Sequence, residues 1–120
     1  GGAIEAASIA WRNGYYYLFV SFDKCCSGTS STYNIRVGRS KSITGPYVDK
    51  NGTRMISSGG TKILGNSSNM IGPGGQDVIL DGSTYRMIYH YYDKNANGAF
   101  KMAIRNLNWS SDWPSAGSMQ

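Results

Sequence analysis

One hairpin pattern occurs twice in the sequence, and this repeat restricts the possible folds more than any other feature. In the first copy an apolar segment is followed by Asn13-Gly14, an aromatic segment and Asp23-Lys24; the second copy repeats the order with Asp81-Gly82 and Asp93-Lys94. The two turns are 68 residues apart and the two Asp-Lys pairs are 70 apart. Asn-Gly and Asp-Gly favour type I′ hairpin turns, because both central residues need positive φ. The chain therefore contains one antiparallel module twice.

Each copy continues with segments typical of further strands. "TYNIRVGRS" and a turn at "SITGPYV" follow the first hairpin, and "GAFKMAIR" and "LNWSSDWP" follow the second. We therefore predict two four-stranded sheets, as repeat modules at about residues 3–70 and 71–120 of one partial domain covering 1–120.

The aromatic strand "YYYLFVSF" indicates how these sheets pack. It is apolar on both faces, and such a strand is packed on both faces. Repeated antiparallel sheets that stack face to face form a β-propeller, so we predict an all-β fold of about two four-stranded propeller blades. A two-sheet sandwich is the alternative. Because a propeller closes with about four to eight blades, the remaining blades must come from elsewhere.

Composition gives little support to a nucleic-acid or membrane partner. The net charge is +5, but only Arg36, Arg39 and Lys41 cluster, and the chain has no nucleic-acid recognition motif. No segment approaches the ~20 apolar residues of a membrane span, and no signal peptide is recognisable. We therefore expect neither nucleic acid nor membrane as a partner. Cys25 and Cys26 are adjacent, and since neighbouring cysteines fit disulfide geometry poorly, two free thiols are predicted.

Glu5 is the only glutamate among the 120 residues. It opens the first strand of the first module, which would line the axis of a propeller, and its small neighbours Ala3, Ala6 and Ala7 leave room for a ligand. The residues alone leave two roles open, a structural one at the strand start and a chemical one as a general acid.

Four segments together resemble a known family: "IEAASIAWRNGYYYLFVSFDKCC", "STYNIRVGRSKSITGPYVDK", "IGPGGQDV" and "LNWSSDWP". In order and spacing they are similar to the C-terminal half of a family 43 glycoside hydrolase of the endo-1,5-α-L-arabinanase subgroup. The resemblance implies a five-bladed propeller that cleaves arabinan or arabino-oligosaccharides with inversion. It also implies a secreted or extracellular location.

The resemblance assigns roles to a few residues. Glu5-Ala6 matches the motif of the family's general acid, so Glu5 is implied to protonate the leaving group. The family's two catalytic Asp precede the matched stretch, and none of the six Asp in this chain matches them, so the resemblance implies a base from another chain or segment. Phe22, Asp23, Lys24 and Cys25 follow the aromatic strand in a loop that lies near the substrate groove of such enzymes. They are weaker candidates for substrate binding.

The family also implies a calcium ion, which Gly75 puts in question. Members usually carry a histidine that helps to hold calcium at this position of "IGPGGQDV", 70 residues after Glu5 and expected at the start of the equivalent inner strand. Gly75 has no side chain, so waters and backbone oxygens would have to hold the ion. No metal-ligating side chain is predicted. His90, the only histidine, is expected to be packed or hydrogen-bonded.

The sequence therefore supports two alternative functions. The first is an arabinanase-type glycoside hydrolase, represented by the part that carries the acid. The alternative is a non-catalytic half-propeller that binds carbohydrate or self-assembles. Both predict apolar blade faces that associate with copies of the chain or with a complementary N-terminal half. Five aromatic residues could stack on sugar rings but are expected in the core: Trp11, Tyr33, Tyr47, Trp109 and Trp113.

Overall fold

The computed structural model describes residues 3–120. Within them the chain forms eight strands: β1 Ile4–Arg12, β2 Tyr15–Phe22, β3 Asn34–Ser40, β4 Thr61–Leu64, β5 Met70–Asp81, β6 Thr84–Asp93, β7 Ala99–Ser110 and β8 Trp113–Met119. Three single-turn 3-10 helices lie in the connections, at Gly28–Ser30, Met55–Ser57 and Lys94–Ala96. Across this part of the chain, no helix has the length and apolar character that crossing a membrane requires.

The strands form two antiparallel sheets that follow chain order, β1-β2-β3-β4 and β5-β6-β7-β8. The prediction of two four-stranded sheets is confirmed. Each sheet is a simple meander made from consecutive strands, whereas sandwiches usually exchange strands between their sheets. The arrangement is therefore that of two neighbouring propeller blades.

The hydrophobic core lies between the two sheets. The first sheet contributes Tyr17, Phe19, Ile35 and Val37, and the second contributes Met87, Tyr89, Ala103 and Leu107. Alternate residues of β2 and β6 point into this layer because successive side chains in a strand face opposite ways. The aromatic strands singled out in the sequence thus hold the two blades together.

The first hairpin turn has the predicted type, but the second does not. Asn13 and Gly14 both have positive φ (52° and 85°), as a type I′ turn requires. In the second hairpin Asp81 pairs with Thr84, so the two-residue loop is Gly82-Ser83, shifted by one residue from the prediction. Only Gly82 there has positive φ (62°), which matches a type II′ turn with glycine first.

The first strand of each sheet carries an equivalent exposed face. On β1 the exposed residues alternate as Glu5, Ala7, Ile9 and Trp11, and on β5 as Gly75, Asp77, Ile79 and Asp81. The two sets are offset by 70 residues, and β1 contacts β5 across the blade interface. Glu5 and the exposed residues of β5 therefore lie on one continuous surface that spans both blades.

Both strands are interrupted by a bulge at the matching point. The pairing register shifts between Glu5 and Ser8 in β1 and between Gly74 and Asp77 in β5. Ala6 and Gly75 have positive φ (55° and 60°), and bulges of this kind redirect side chains. The expectation that Gly75 starts its strand is wrong, because β5 already begins at Met70.

Candidate active site

Glu5 lies on the exposed face of β1, and its carboxyl group is held by one side chain from the same blade. The hydroxyl of Tyr33 donates to Oε2 of Glu5 at 2.7 Å. Glu5 pairs with Ser21 of β2, which in turn pairs with Ile35 of β3. Tyr33, directly before β3, therefore reaches across β2 to the glutamate.

Tyr33 itself is buried, with 3% of its surface exposed. Its ring lies against Gly74 of β5, where a Cβ atom would overlap the ring, and is nearly parallel to the imidazole of His90, with centroids 5.9 Å apart. Burial raises the pKa of the Tyr33 hydroxyl, and its hydrogen bond to Glu5 raises it further. At neutral pH the hydroxyl therefore keeps its proton and acts as a donor.

A buried polar network joins the bulges of the two inner strands. Ser21 donates to Oε1 of Gln76 at 2.6 Å and accepts from the backbone N–H of Gly75 at 2.9 Å. Nε2 of Gln76 donates to the carbonyl of Ala6, the residue after Glu5. The second blade thus fixes the backbone at the catalytic candidate of the first.

Ser21 and Gln76 belong to this network although no sequence motif predicted them as site residues. Ser21 is the only polar residue without an aromatic ring in "YYYLFVSF", and Gln76 directly follows Gly75. A buried polar side chain needs a hydrogen-bond partner. A serine within a strand that is apolar on both faces therefore indicates a buried hydrogen bond, and this pattern could have pointed to Ser21.

The predicted substrate-binding loop lies beside the start of β1. The backbone N–H of Asp23 donates to the carbonyl of Ala3 at 2.8 Å, and an open cleft of about 600 Å³ is lined by Ala3, Asp23, Lys24 and Thr32. Asp23 also accepts from Nδ2 of Asn34 at 2.8 Å. Phe22 lies under the guanidinium of Arg36, 5.0 Å from its ring centre. Two of the four candidates, Asp23 and Lys24, therefore face this cleft.

Cys25 and Cys26 form a disulfide with each other. The prediction of two free thiols is wrong. Cys26 has a positive φ of 66°, and this left-handed turn lets the two neighbouring side chains meet. Cys25, proposed for substrate binding, is thus part of a small cross-linked loop.

The side chains of this chain do not fit a calcium site. Gly75 offers none, and a Cβ atom at this position would overlap Nε2 of His90. Among residues 3–120, no three His, Cys, Asp or Glu side chains are grouped as metal ligands. Any calcium would depend on waters, backbone oxygens or residues beyond this chain, so no chemical step is assigned to it.

His90 is partly buried and packs against a neighbouring aromatic ring. Its ring centre lies 4.7 Å from that of Phe100, and its buried Nδ1 has no partner within the described residues. Burial lowers its pKa, so the imidazole is neutral at neutral pH. The expectation of a packed histidine is confirmed.

Most of the aromatic candidates for sugar stacking pack against other side chains of the protein. Trp109 and Trp113 pack edge-on against the ring of Tyr17, and Arg39 lies over Trp113 at 4.2 Å. Tyr33 is buried, as described above. The expectation of a core position is wrong for Trp11, because 57% of its surface is exposed on the same face of β1 as Glu5.

All six aspartates are engaged within the chain. Their partners are Asn34 for Asp23, backbone N–H groups for Asp49 and Asp77, Arg86 for Asp81, Lys101 for Asp93 and Arg12 for Asp112. Lys101 and Asn69 hold the pKa of Asp93 at about 2. None of these contacts involves Glu5, so the described residues hold no second carboxylate bonded into its hydrogen-bond network.

Fold and site together define a pair of β-propeller blades with a carboxyl group on the innermost strand. The sequence profile of glycosyl hydrolases family 43 matches residues 1–114. The chain belongs to this family, which confirms the resemblance found in its motifs.

Two proteins similar to this chain are arabinan-active enzymes by name. An extracellular endo-alpha-(1->5)-L-arabinanase 1 of Bacillus subtilis (strain 168) is 55% identical over 115 residues, covering 96% of this chain and 35% of the relative. An extracellular exo-alpha-(1->5)-L-arabinofuranosidase of Cellvibrio japonicus is 40% identical over 113 residues, covering 92% of the chain and 32% of the relative. The chain thus spans about a third of the length of these relatives.

A solved arabinanase structure shares this fold. The structure of Cellvibrio cellulosa alpha-L-arabinanase complexed with arabinohexaose superposes with a TM-score of 0.91 at 37% identity, covering 94% of this chain and 36% of that one. The predicted fold, two blades of a five-bladed β-propeller, is confirmed.

Proposed function

We propose that this chain is the acid-bearing part of an enzyme that hydrolyses α-1,5-linked arabinan with inversion. One observation carries the proposal: the only glutamate of the chain lies exposed on an inner propeller strand with its carboxyl group oriented by a hydrogen bond. Its similarity to endo- and exo-acting arabinan enzymes supports the substrate class. Those relatives are named extracellular, which supports a secreted location for the protein to which this chain belongs.

The proposed chemistry divides between this chain and the rest of the enzyme. Glu5, protonated, gives its proton to the glycosidic oxygen while the bond from that oxygen to the anomeric carbon breaks. A water attacks the anomeric carbon from the opposite face and loses a proton to a carboxylate base. In inverting enzymes the acid and the base lie roughly 6.5–9.5 Å apart, leaving space for that water.

The base comes from outside this chain. None of the six aspartates matches a catalytic Asp of the resembling family, and each already has a hydrogen-bond partner within the two blades. The relatives extend over about three times the length of this chain. Further blades would therefore supply both the base and the opposite wall of the groove.

Apolar faces on the blade pair support such an association. On the second blade an open cleft of about 400 Å³ includes Ile88, Phe100 and Met102 in its lining, and Phe100 and Met102 are 64% and 71% exposed. Large exposed apolar patches mark association sites. We propose that a complementary N-terminal part covers this face in the whole enzyme, and that a second copy covers it when the chain is alone.

A chimera tests the proposed activity. The chain would replace the matching 115-residue segment of the Bacillus subtilis relative, and reducing-sugar release from debranched arabinan would be compared with Glu5→Gln. We expect the chimera to cleave and the substitution to lower the rate by about 10²–10⁴-fold, the usual contribution of general acid–base catalysis.

Asp81→Asn is the matched control, because it also changes a carboxylate to an amide but lies in an exposed ion pair with Arg86. Its rate should equal that of the unsubstituted chimera. A folded chimera that releases no sugar, or one that is indifferent to Glu5→Gln, would contradict the proposal. The isolated chain, assayed in the same way with and without calcium, shows whether self-association alone builds a working site.

A further inference from the structure

We infer that Tyr33 positions the general acid and determines which of its two oxygens delivers the proton. The inference rests on the proposed function, since it assigns Tyr33 a role toward the same carboxyl group. Its basis is the 2.7 Å hydrogen bond from the Tyr33 hydroxyl to Oε2 of Glu5. Tyr33 is a positioning residue, because it acts through Glu5 and not on the sugar.

The direction of this hydrogen bond fixes the place of the acidic proton. The Tyr33 hydroxyl has one proton, and it donates that proton to Oε2. When Glu5 is protonated, Oε2 stays the acceptor and the proton resides on Oε1. Oε1–H is then the bond that breaks, its proton forms a bond to the glycosidic oxygen, and its electron pair stays on the carboxylate.

The same contact favours the transition state over the ground state. As the proton leaves Oε1, negative charge spreads over both carboxylate oxygens, and a hydrogen bond to a charged acceptor is stronger than one to a neutral acceptor. Only interactions that strengthen in the transition state accelerate the chemical step. Tyr33 therefore contributes to the rate beyond orienting the carboxyl group.

The surroundings of Tyr33 make it a rigid donor. Glu5 is exposed on its strand, whereas Tyr33 is almost fully buried between the two blades, against Gly74 and parallel to His90. A residue with its ring locked by packing holds its hydroxyl at one place, and such preorganisation is what a positioned acid requires. The second blade thus orients the acid of the first through this ring.

The contact can be observed in the full 120-residue chain without any activity. The ¹³Cζ signal of labelled Tyr33 should differ between the unsubstituted chain and Glu5→Gln, because the substitution replaces the carboxyl acceptor of its hydrogen bond with an amide. Tyr89 is the internal control, because it is also buried but contacts Arg105 and Met70 instead. A Tyr33 signal that does not respond to Glu5 would overturn the inference.

The kinetic test uses the chimera and two leaving groups. On arabinan, whose leaving alkoxide needs protonation, Tyr33→Phe should lower kcat about tenfold with KM unchanged. On an arabino-oligosaccharide with a nitrophenyl leaving group, which departs without an acid, the loss should be under about twofold. Tyr17→Phe is the matched control, since it removes another buried hydroxyl that donates to the carbonyl of Asp112; it should not separate the two substrates.

The outcomes separate the inference from the function on which it rests. Equal losses on both substrates would mean that Tyr33 only supports the fold, and the inference would be overturned. If Glu5→Gln loses arabinan activity while Tyr33→Phe keeps it, the inference alone fails. If Glu5→Gln keeps full activity on arabinan, the proposed function fails first. The expected result is the same leaving-group dependence in both variants, weaker in Tyr33→Phe.

Discussion

At the scale of single residues, the position of one hydroxyl group depends on the absence of one methyl group in the other blade. The ring of Tyr33 occupies the space where Gly74 would carry a Cβ atom. In the sequence, Gly74 is simply one of 16 glycines. In the structure this glycine allows the close approach that brings the Tyr33 hydroxyl to Glu5.

Gly74→Ala should therefore destabilise the chain by about 1–3 kcal/mol, the usual cost of overpacking. Urea unfolding measures the effect. The matched control is Gly65→Ala, where the new Cβ atom would meet only the flexible side chain of Lys62, at 3.3 Å. Equal stability of the two variants would show that the ring of Tyr33 can move aside freely.

Glu5 could be singled out from the sequence, but Tyr33 could not be assigned to it. A lone glutamate is visible in a composition, and its motif carries the family resemblance. The hydrogen bond joins residues 28 positions apart, and its donor is an aromatic side chain of the kind expected in the core. Burial and function coincide at Tyr33 because its ring packs between the blades while its hydroxyl reaches the surface of β1.

At the scale of elements, β5 is the least regular strand and connects the two blades. Its 12 residues include two register shifts, and Gln76 lies between Gly74 and Asp77, where the second occurs. Gln76 is buried and bonds to Ser21 and to the carbonyl of Ala6. A regular strand would point the amide elsewhere, so the bulge makes this cross-blade contact possible.

Gln76→Leu should cost about 1–3 kcal/mol, because it leaves the hydroxyl of Ser21 and the carbonyl of Ala6 without their buried partner. A double-mutant cycle by urea unfolding tests this coupling. Ser21→Ala should cost less in the Gln76→Leu background than in the original chain. Strictly additive costs would mean that the two side chains do not cooperate.

At the scale of the whole molecule, two blades bury one interface and leave apolar faces on either side. Phe100 and Met102 are exposed on the second blade, and Ile43 and Ile56 in the connection between β3 and β4 are exposed on the first. In a closed propeller, each blade is covered by the next. The isolated pair therefore presents surface suited to another blade.

The isolated chain should associate as its concentration rises from about 1 to 100 μM, which sedimentation velocity can follow, since burying a large apolar side chain contributes about 1.5–3 kcal/mol. Phe100→Ser with Met102→Ser should weaken this association. Asp81→Asn, at a hairpin turn, serves as the control and should leave it unchanged. A chain that stays monomeric throughout would show that this face is stable in water on its own.

The sequence by itself determined the local features of this protein. The 70-residue repeat and the apolar strands predicted two four-stranded blades, because strand periodicity and turn chemistry are properties of neighbouring residues. The motifs predicted the family and drew attention to Glu5. The first hairpin also followed its Asn-Gly signal, whereas the second moved by one residue because the pairing of Asp81 with Thr84 placed Gly82 first in the loop.

Only the tertiary structure decided how these features combine into a site. The hydrogen bond from Tyr33 to Glu5, the Ser21–Gln76 contact between blades and the disulfide of Cys25 with Cys26 all depend on where the backbone turns. Positive φ at Ala6, Gly75 and Cys26 redirects the chain at single residues, and no periodic pattern encodes such turns. The candidate acid Glu5 is therefore identified by the sequence, and the orientation of its carboxyl group is set by the packing of one blade against the next.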